Sequence, residues 1–125
     1  MHGYAFEQVC LEHISKIKSG LGIDGMKTET SAWSGKTDTS GAQIDLLIDR
    51  ADRVINICEM KFSIDPFVIS KSYAEDLKRK IRVFKEVTQT RKAVRLVLIT
   101  TWGLTRNNYS DTLVQHELKM DVLFD

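Results

Sequence analysis

Two acids and a lysine, Asp45, Glu59 and Lys61, are the residues of this sequence with the clearest chemical potential. They lie in two apolar segments, GAQIDLLID and INICEMKFS, that flank a short polar turn. Carboxylates are preferred ligands of Mg²⁺ and Mn²⁺, and two opposed carboxylates repel each other unless a cation lies between them. A metal held there would polarise a phosphodiester and supply hydroxide near neutral pH. Lys61 would orient or deprotonate the attacking water, or stabilise the developing charge.

The grouping of these residues depends on the register of a predicted β-hairpin. If residues 51–53 form a three-residue loop, Asp45 faces Glu59 and Gln43 faces Lys61. Opposed residues of an antiparallel pair share a face of the sheet, with Cβ atoms about 4.5–5.5 Å apart. This register would bring both acids, the lysine and the Gln43 amide into one patch, whereas a slip of one residue would scatter them.

Apolar periodicity predicts the elements that carry this hairpin. Helices are predicted over 4–20 and 70–87, and further strands over 26–35, 93–101 and 114–120, with a loop over 34–41. The run over 93–101 is nearly continuous in its apolar residues, which is typical of a strand covered on both faces. The second helix would join it to its parallel neighbour as a crossover. The order of elements therefore predicts an α/β sandwich with a mixed sheet.

Charged residues on the two helices have two interpretations each. The second helix places Lys71, Lys78, Arg82 and Lys85 on one stripe beside its apolar face, although the net charge of the chain is only +1. The stripe is either a solvated helix face or a surface that follows nucleic-acid phosphates. Glu7, in the first turn of the first helix, is either a surface acid favoured near a helix N-terminus or a carboxylate directed at the strand patch.

The cysteines and the apolar segments exclude several classes of protein. Cys10 and Cys58 form no CxxC pair and the histidines show no zinc spacing, so we expect buried free thiols in a reducing compartment. No stretch approaches the ~20 apolar residues of a membrane span, and no signal peptide is visible. We therefore expect one cytoplasmic domain over residues 1–125 that contacts no membrane. A helical pattern that begins so near Met1 suits a domain cut from a longer chain, although a small protein could also begin this way.

The acid, acid and lysine pattern, with its strand context and element order, resembles the PD-(D/E)XK nuclease superfamily. The segments GAQIDLLID, INICEMKFS, SKSYAEDL and VLITTWG resemble more specifically the nuclease-like domain at the C-terminus of some prokaryotic AAA-type ATPases. The resemblance implies a restriction-endonuclease-like αβββαβ core with a central mixed sheet flanked by helices. It also implies Mg²⁺ or Mn²⁺ as cofactor, DNA as substrate and an ATPase domain in the parent chain. Ile44 replaces the proline of the motif, which affects only the turn into the strand.

The resemblance also assigns roles to matching positions. Asp45 matches the metal-binding aspartate, Glu59 the second acid and Lys61 the lysine of the motif. Glu7 lies where many members place a metal-assisting acid, and Gln43 resembles the polar residue often found two positions before the aspartate. The leading hypothesis is a metal-dependent endonuclease with these residues as its site.

Other interpretations remain open at this point. The domain could be a non-cleaving nucleic-acid-binding or regulatory module of an ATPase that retains the nuclease fold. It could also be a protein-interaction domain that forms a homodimer through the apolar tail residues Val122, Leu123 and Phe124. In a purely structural interpretation of the site, Glu59 and Lys61 form a surface ion pair, worth about 0–1 kcal/mol.

Overall fold

The computed structural model describes residues 3–121, in which a five-stranded mixed sheet is flanked by helices. The helices are α1 (Gly3–Glu12), α2 (Ile14–Gly20), α3 (Lys71–Thr88) and α4 (Asn108–Leu113), and the strands are β1 (Thr28–Lys36), β2 (Gly41–Arg50), β3 (Val54–Lys61), β4 (Ala93–Thr100) and β5 (Val114–Lys119). The strands lie side by side in chain order. Strands β1 to β3 are antiparallel, whereas β3, β4 and β5 run parallel. The predicted α/β class with a mixed sheet is confirmed.

The sheet separates two apolar layers. On one face, Phe6 of α1 and Ile17 of α2 belong to a buried cluster with side chains of the central strands. On the other face, Leu77 and Phe84 of α3 pack in a second cluster that includes Ile57 of β3. Every residue of β3 before its last is buried, including the polar Asn56 and Glu59, as expected for a central strand covered on both faces.

Helix α3 connects β3 to its parallel neighbour β4, as predicted. The Ser70 hydroxyl accepts a hydrogen bond from the Tyr73 backbone N–H at 3.1 Å and caps the first turn. Gln89, in the left-handed region at φ 53°, ends the helix. These two caps fix the length of α3 and therefore the position of the side chains that it directs toward the sheet.

The first predicted helix is two helices in the structure. His13 separates α1 from α2 with φ −124° and ψ 38°, outside the helical region, and its Nδ1 lies 2.7 Å from the Val9 carbonyl oxygen. Periodicity did not reveal the break because Phe6, Cys10 and Ile17 still reach the same apolar layer on both sides of it.

The predicted loop over 34–41 is shorter than expected. Ser34 and Gly35 continue β1 and pair with Gln43 and Ala42 of β2, so only residues 37–40 form the turn. Cross-strand pairing therefore overrides the turn-forming tendency of these small residues. Gly35 is needed for packing, since a Cβ there would lie 2.7 Å from the Trp33 indole.

The C-terminal part contains the predicted edge strand, β5, and one helix that the sequence did not predict. Helix α4 begins with a capping box in which the Asn107 side chain accepts from the Ser110 N–H and the Ser110 hydroxyl accepts from the Asn107 N–H. The apolar tail residues proposed as a dimer contact, 122–124, lie outside the described residues. Among residues 3–121, no helix combines the length and the apolar character that crossing a membrane requires.

Both cysteines are buried free thiols, as predicted. Cys10 and Cys58 lie in the apolar layer between the sheet and α1. Burial raises the pKa of the Cys10 thiol to about 12 and also raises that of Cys58. Both thiols are therefore protonated near neutral pH, and a role as nucleophile or thiolate ligand is disfavoured.

Candidate active site

The β2–β3 hairpin has the predicted register. Leu46 pairs with Cys58 and Asp49 with Ile55, around the turn over 51–53. The paired stretch ends at Leu46 and Cys58, and the next residue on each strand is an acid, Asp45 or Glu59. The two acids therefore face each other where the pairing between the strands stops.

A β-bulge sets the position of Asp45. The β1–β2 register shifts by one residue at Asp45 and Leu46, which together lie opposite Ala32. Beyond the shift, Ile44 packs in the same layer as Leu47, whereas strict alternation along a strand would place Ile44 in the layer of Leu46. Bulges redirect side chains out of the alternating pattern and are frequent beside active sites. Here Asp45 is exposed between buried neighbours, and it has no hydrogen-bond or ion-pair partner within residues 3–121.

Glu59 is buried, with 7% of its surface exposed, and is paired with a lysine that is not among the site residues predicted from the sequence. Lys80 of α3 donates a hydrogen bond from Nζ to Glu59 Oε1 at 2.7 Å. Burial raises the pKa of Glu59, the Lys80 contact and charge oppose that rise, and the charge of Asp45 adds to it.

Lys61 lies against an aromatic ring and has no ion pair with Glu59. Its Nζ lies 4.5 Å from the centroid of the Tyr73 ring, so a cation–π contact holds the ammonium group. Tyr73 is fixed in turn by Phe67, whose ring meets it edge-on at 5.5 Å between centroids. The structure therefore replaces the simple Glu59–Lys61 ion pair with two separately held lysines.

Glu7 joins the same electrostatic group, although it lies beyond the first turn of α1, where it was predicted, because the helix begins at Gly3. Burial raises the pKa of its carboxyl, and the charge of Asp45 raises it further, while the charges of Lys61 and Lys80 lower it. The same charges act on Glu59. Five charged groups from α1, β2, β3 and α3 are thus electrostatically coupled, and four of them belong to the predicted site.

An open cleft of about 780 Å³ leads to Asp45 between the β1–β2 hairpin and α3. Gln43 lines it, together with the cations Lys36, Arg79 and Lys80. The Arg79 Nε donates to the Gly41 carbonyl oxygen at 3.2 Å and so ties α3 to the start of β2. The cleft thus joins an exposed carboxylate to three cations, of which Lys80 is paired with Glu59 and Arg79 with Asp76.

The predicted basic stripe does not reach this cleft. All four of its members are exposed on α3: Lys71, Lys78, Arg82 and Lys85. At 3.6 residues per turn they lie about 140–200° around the helix from Lys80. The signal for Lys80 was present in the sequence, because it falls three residues after Leu77 and four before Phe84, on the core-facing side. A charge at such a position indicates a buried ionic partner.

Comparison with known proteins supports the fold alone. The chain is similar to the crystal structure of a protein of unknown function, AF1548, with a TM-score of 0.58 and 17% sequence identity. The match covers 94% of this chain and 64% of the other, so the chain spans less than two thirds of that structure. No protein-family model matches the chain, and no curated protein matches it.

Proposed function

We propose that this domain is a nuclease that hydrolyses DNA phosphodiester bonds with the help of Mg²⁺ or Mn²⁺. The observation that supports this most is the mutual electrostatic effect of Glu7, Asp45, Glu59 and Lys61, together with the position of Asp45 in the wall of an open cleft. With Lys80 included and all groups ionised, the site carries one net negative charge. One divalent cation and one phosphodiester would together bring it to neutrality.

The side chains present are suitable for such a cation. The described residues contain no group of three or more metal-ligating side chains already arranged around one point. However, Asp45 offers a carboxylate without partners in residues 3–121, and the repulsion between Asp45 and Glu59 would be relieved by a shared cation. Hard oxygen donors of this kind favour Mg²⁺ and Mn²⁺ over softer metals.

In this proposal Asp45 and Glu59 would hold the cation, with Glu7 assisting. When bound, the metal would supply Lewis-acid polarisation of the phosphate and would lower the pKa of a coordinated water. Lys61, held by the Tyr73 ring, would stabilise the negative charge that develops on the phosphate oxygens. Gln43 would orient the strand as it enters from the cleft. The ATPase domain implied by the resemblance and the cytoplasmic location expected from the sequence are part of the same proposal.

Titration with divalent cations tests the proposed activity. Wild-type protein is expected to nick supercoiled plasmid DNA in Mg²⁺ or Mn²⁺ and to lose that activity in EDTA, because two carboxylates need a cation to act on a phosphate anion. Conversion of supercoiled to open-circular DNA on a gel gives the rate. Nicking that persists in EDTA, or that is absent at every metal concentration, would contradict the proposal.

A second function is favoured by one contact. Lys80 already compensates the charge of Glu59 in place of a metal, which is compatible with a domain that binds nucleic acid without cleaving it. In that case cations of the cleft would still bind phosphates.

Two matched charge reversals locate the nucleic-acid surface. Lys36→Glu, in the cleft, is expected to weaken binding of a DNA oligonucleotide roughly 5–10-fold at low salt. Lys78→Glu, equally exposed but on the opposite side of α3, is expected to change it less than about twofold. Fluorescence anisotropy measures both affinities. The reverse ranking would assign binding to the basic stripe predicted from the sequence.

A further inference from the structure

Lys80 occupies an unusual position for a lysine. Its Nζ lies 2.7 Å from Glu59 Oε1, and the exposed fractions of the two side chains are 22% and 9%. Removing a carboxylate from water is costly unless a cation accompanies it, and Lys80 supplies that cation from α3. The same side chain also lines the open cleft beside Lys36 and Arg79. Lys80 therefore lies at the boundary between the acidic site and the cationic cleft.

The Lys80 ammonium compensates one carboxylate and leaves Asp45 unpaired. Asp45 has no ion-pair partner within residues 3–121, and its charge acts on both Glu59 and Glu7. A divalent cation would carry twice the charge of the ammonium group and could contact Asp45 and Glu59 together. Because a metal and an ammonium group at the same carboxylate repel each other, metal binding would favour release of Lys80.

We propose that Lys80 is a built-in counter-ion of Glu59, which a divalent metal displaces so that the released ammonium turns into the cleft and binds a substrate phosphate. This inference rests on the proposed function. The Lys80–Glu59 ion pair would stabilise the domain before the metal binds. It also couples the two ligands, because metal binding frees a phosphate-binding cation and, reciprocally, nucleic acid that holds Lys80 strengthens metal binding.

Chemical labelling of lysines tests the release in wild-type protein without any cleavage assay. Reductive methylation at limiting reagent, quantified by mass spectrometry, is expected to modify Lys80 slowly without metal and several-fold faster in saturating Mn²⁺. Lys78, two residues away on the exposed side of α3, provides the internal control and should not change. Metal binding is followed separately by the loss of the free Mn²⁺ signal in electron paramagnetic resonance. An unchanged Lys80 rate with Mn²⁺ bound would overturn the displacement and leave the metal site intact.

A pair of matched variants tests the competition. Lys80→Met is expected to bind Mn²⁺ about tenfold more tightly than wild type, since the metal no longer has to break an ion pair. Lys61→Met removes the same charge near the same acids, but from an ammonium held by Tyr73, and should have a clearly smaller effect. If the two variants strengthened Mn²⁺ binding equally, Lys80 would act only as one nearby positive charge, and its displacement by the metal would be overturned. Absence of Mn²⁺ binding by wild type and both variants would overturn the counter-ion exchange and the proposed function together.

Discussion

Asp45→Asn is expected to lower the rate of metal-dependent DNA cleavage by a factor on the order of 10³, because it removes a charged ligand from the centre of the proposed site. Its free energy of unfolding should change by less than ~0.5 kcal/mol, since Asp45 is exposed and unpaired within residues 3–121. Single-turnover nicking and urea denaturation measure the two quantities. A large loss of cleavage with an unchanged free energy of unfolding would show that Asp45 acts in the site and does not merely end a strand.

Glu117→Gln provides the control for that experiment. This substitution also removes one exposed carboxylate, but from the edge strand β5. Cleavage by this variant should match wild type. A loss of activity in Glu117→Gln as large as in Asp45→Asn would mean that net charge, rather than the proposed site, controls the rate. Wild-type activity in Asp45→Asn would remove Asp45 from the mechanism.

Of the substitutions proposed here, Leu77→Ala should destabilise the domain most, with a loss of about 2–5 kcal/mol in the free energy of unfolding. Leu77 is 1% exposed and packs between α3 and the sheet, in the layer that also contains Ile57 and Phe84. Truncation would leave a cavity under the helix that carries both Tyr73 and Lys80. Urea denaturation measures the loss, and cleavage at a temperature where the variant remains folded should also fall.

Leu113→Ala makes the same deletion at a partly buried position against the same layer. Its cost should be smaller than that of Leu77→Ala, because a partly exposed site loses less transfer free energy and can relax. Equal costs at the two positions would contradict the assignment of Leu77 to the centre of the α3–sheet contact.

The hairpin and the α3 crossover could be predicted because each depends on strong local patterns. The turn over 51–53 set the register of β2 and β3, and the apolar stripe of Tyr73, Leu77, Ile81 and Phe84 set the face of α3. Register and helix face are fixed by which side chains must be buried, and burial is visible as periodicity.

The bulge, the buried ion pair and the cleft could not be predicted from local sequence patterns, because each depends on contacts between distant segments. The bulge at Asp45 arises from the pairing of β2 with β1, and no periodicity within β2 alone reveals it. The Glu59–Lys80 pair joins residues 21 positions apart, so nothing near Glu59 indicates it. The basic stripe was prominent because its four cations are close in sequence, whereas the cleft collects Lys36 and Arg79 from distant segments.

The most direct test of the metal site is a crystal structure of this domain soaked in Mn²⁺, with anomalous diffraction data. We expect an anomalous peak within coordinating distance of the Asp45 and Glu59 carboxylates, with Lys80 turned away from Glu59 and into the cleft. Mn²⁺ bound only at other acids of the protein, with Lys80 still paired to Glu59 at saturating metal, would contradict it.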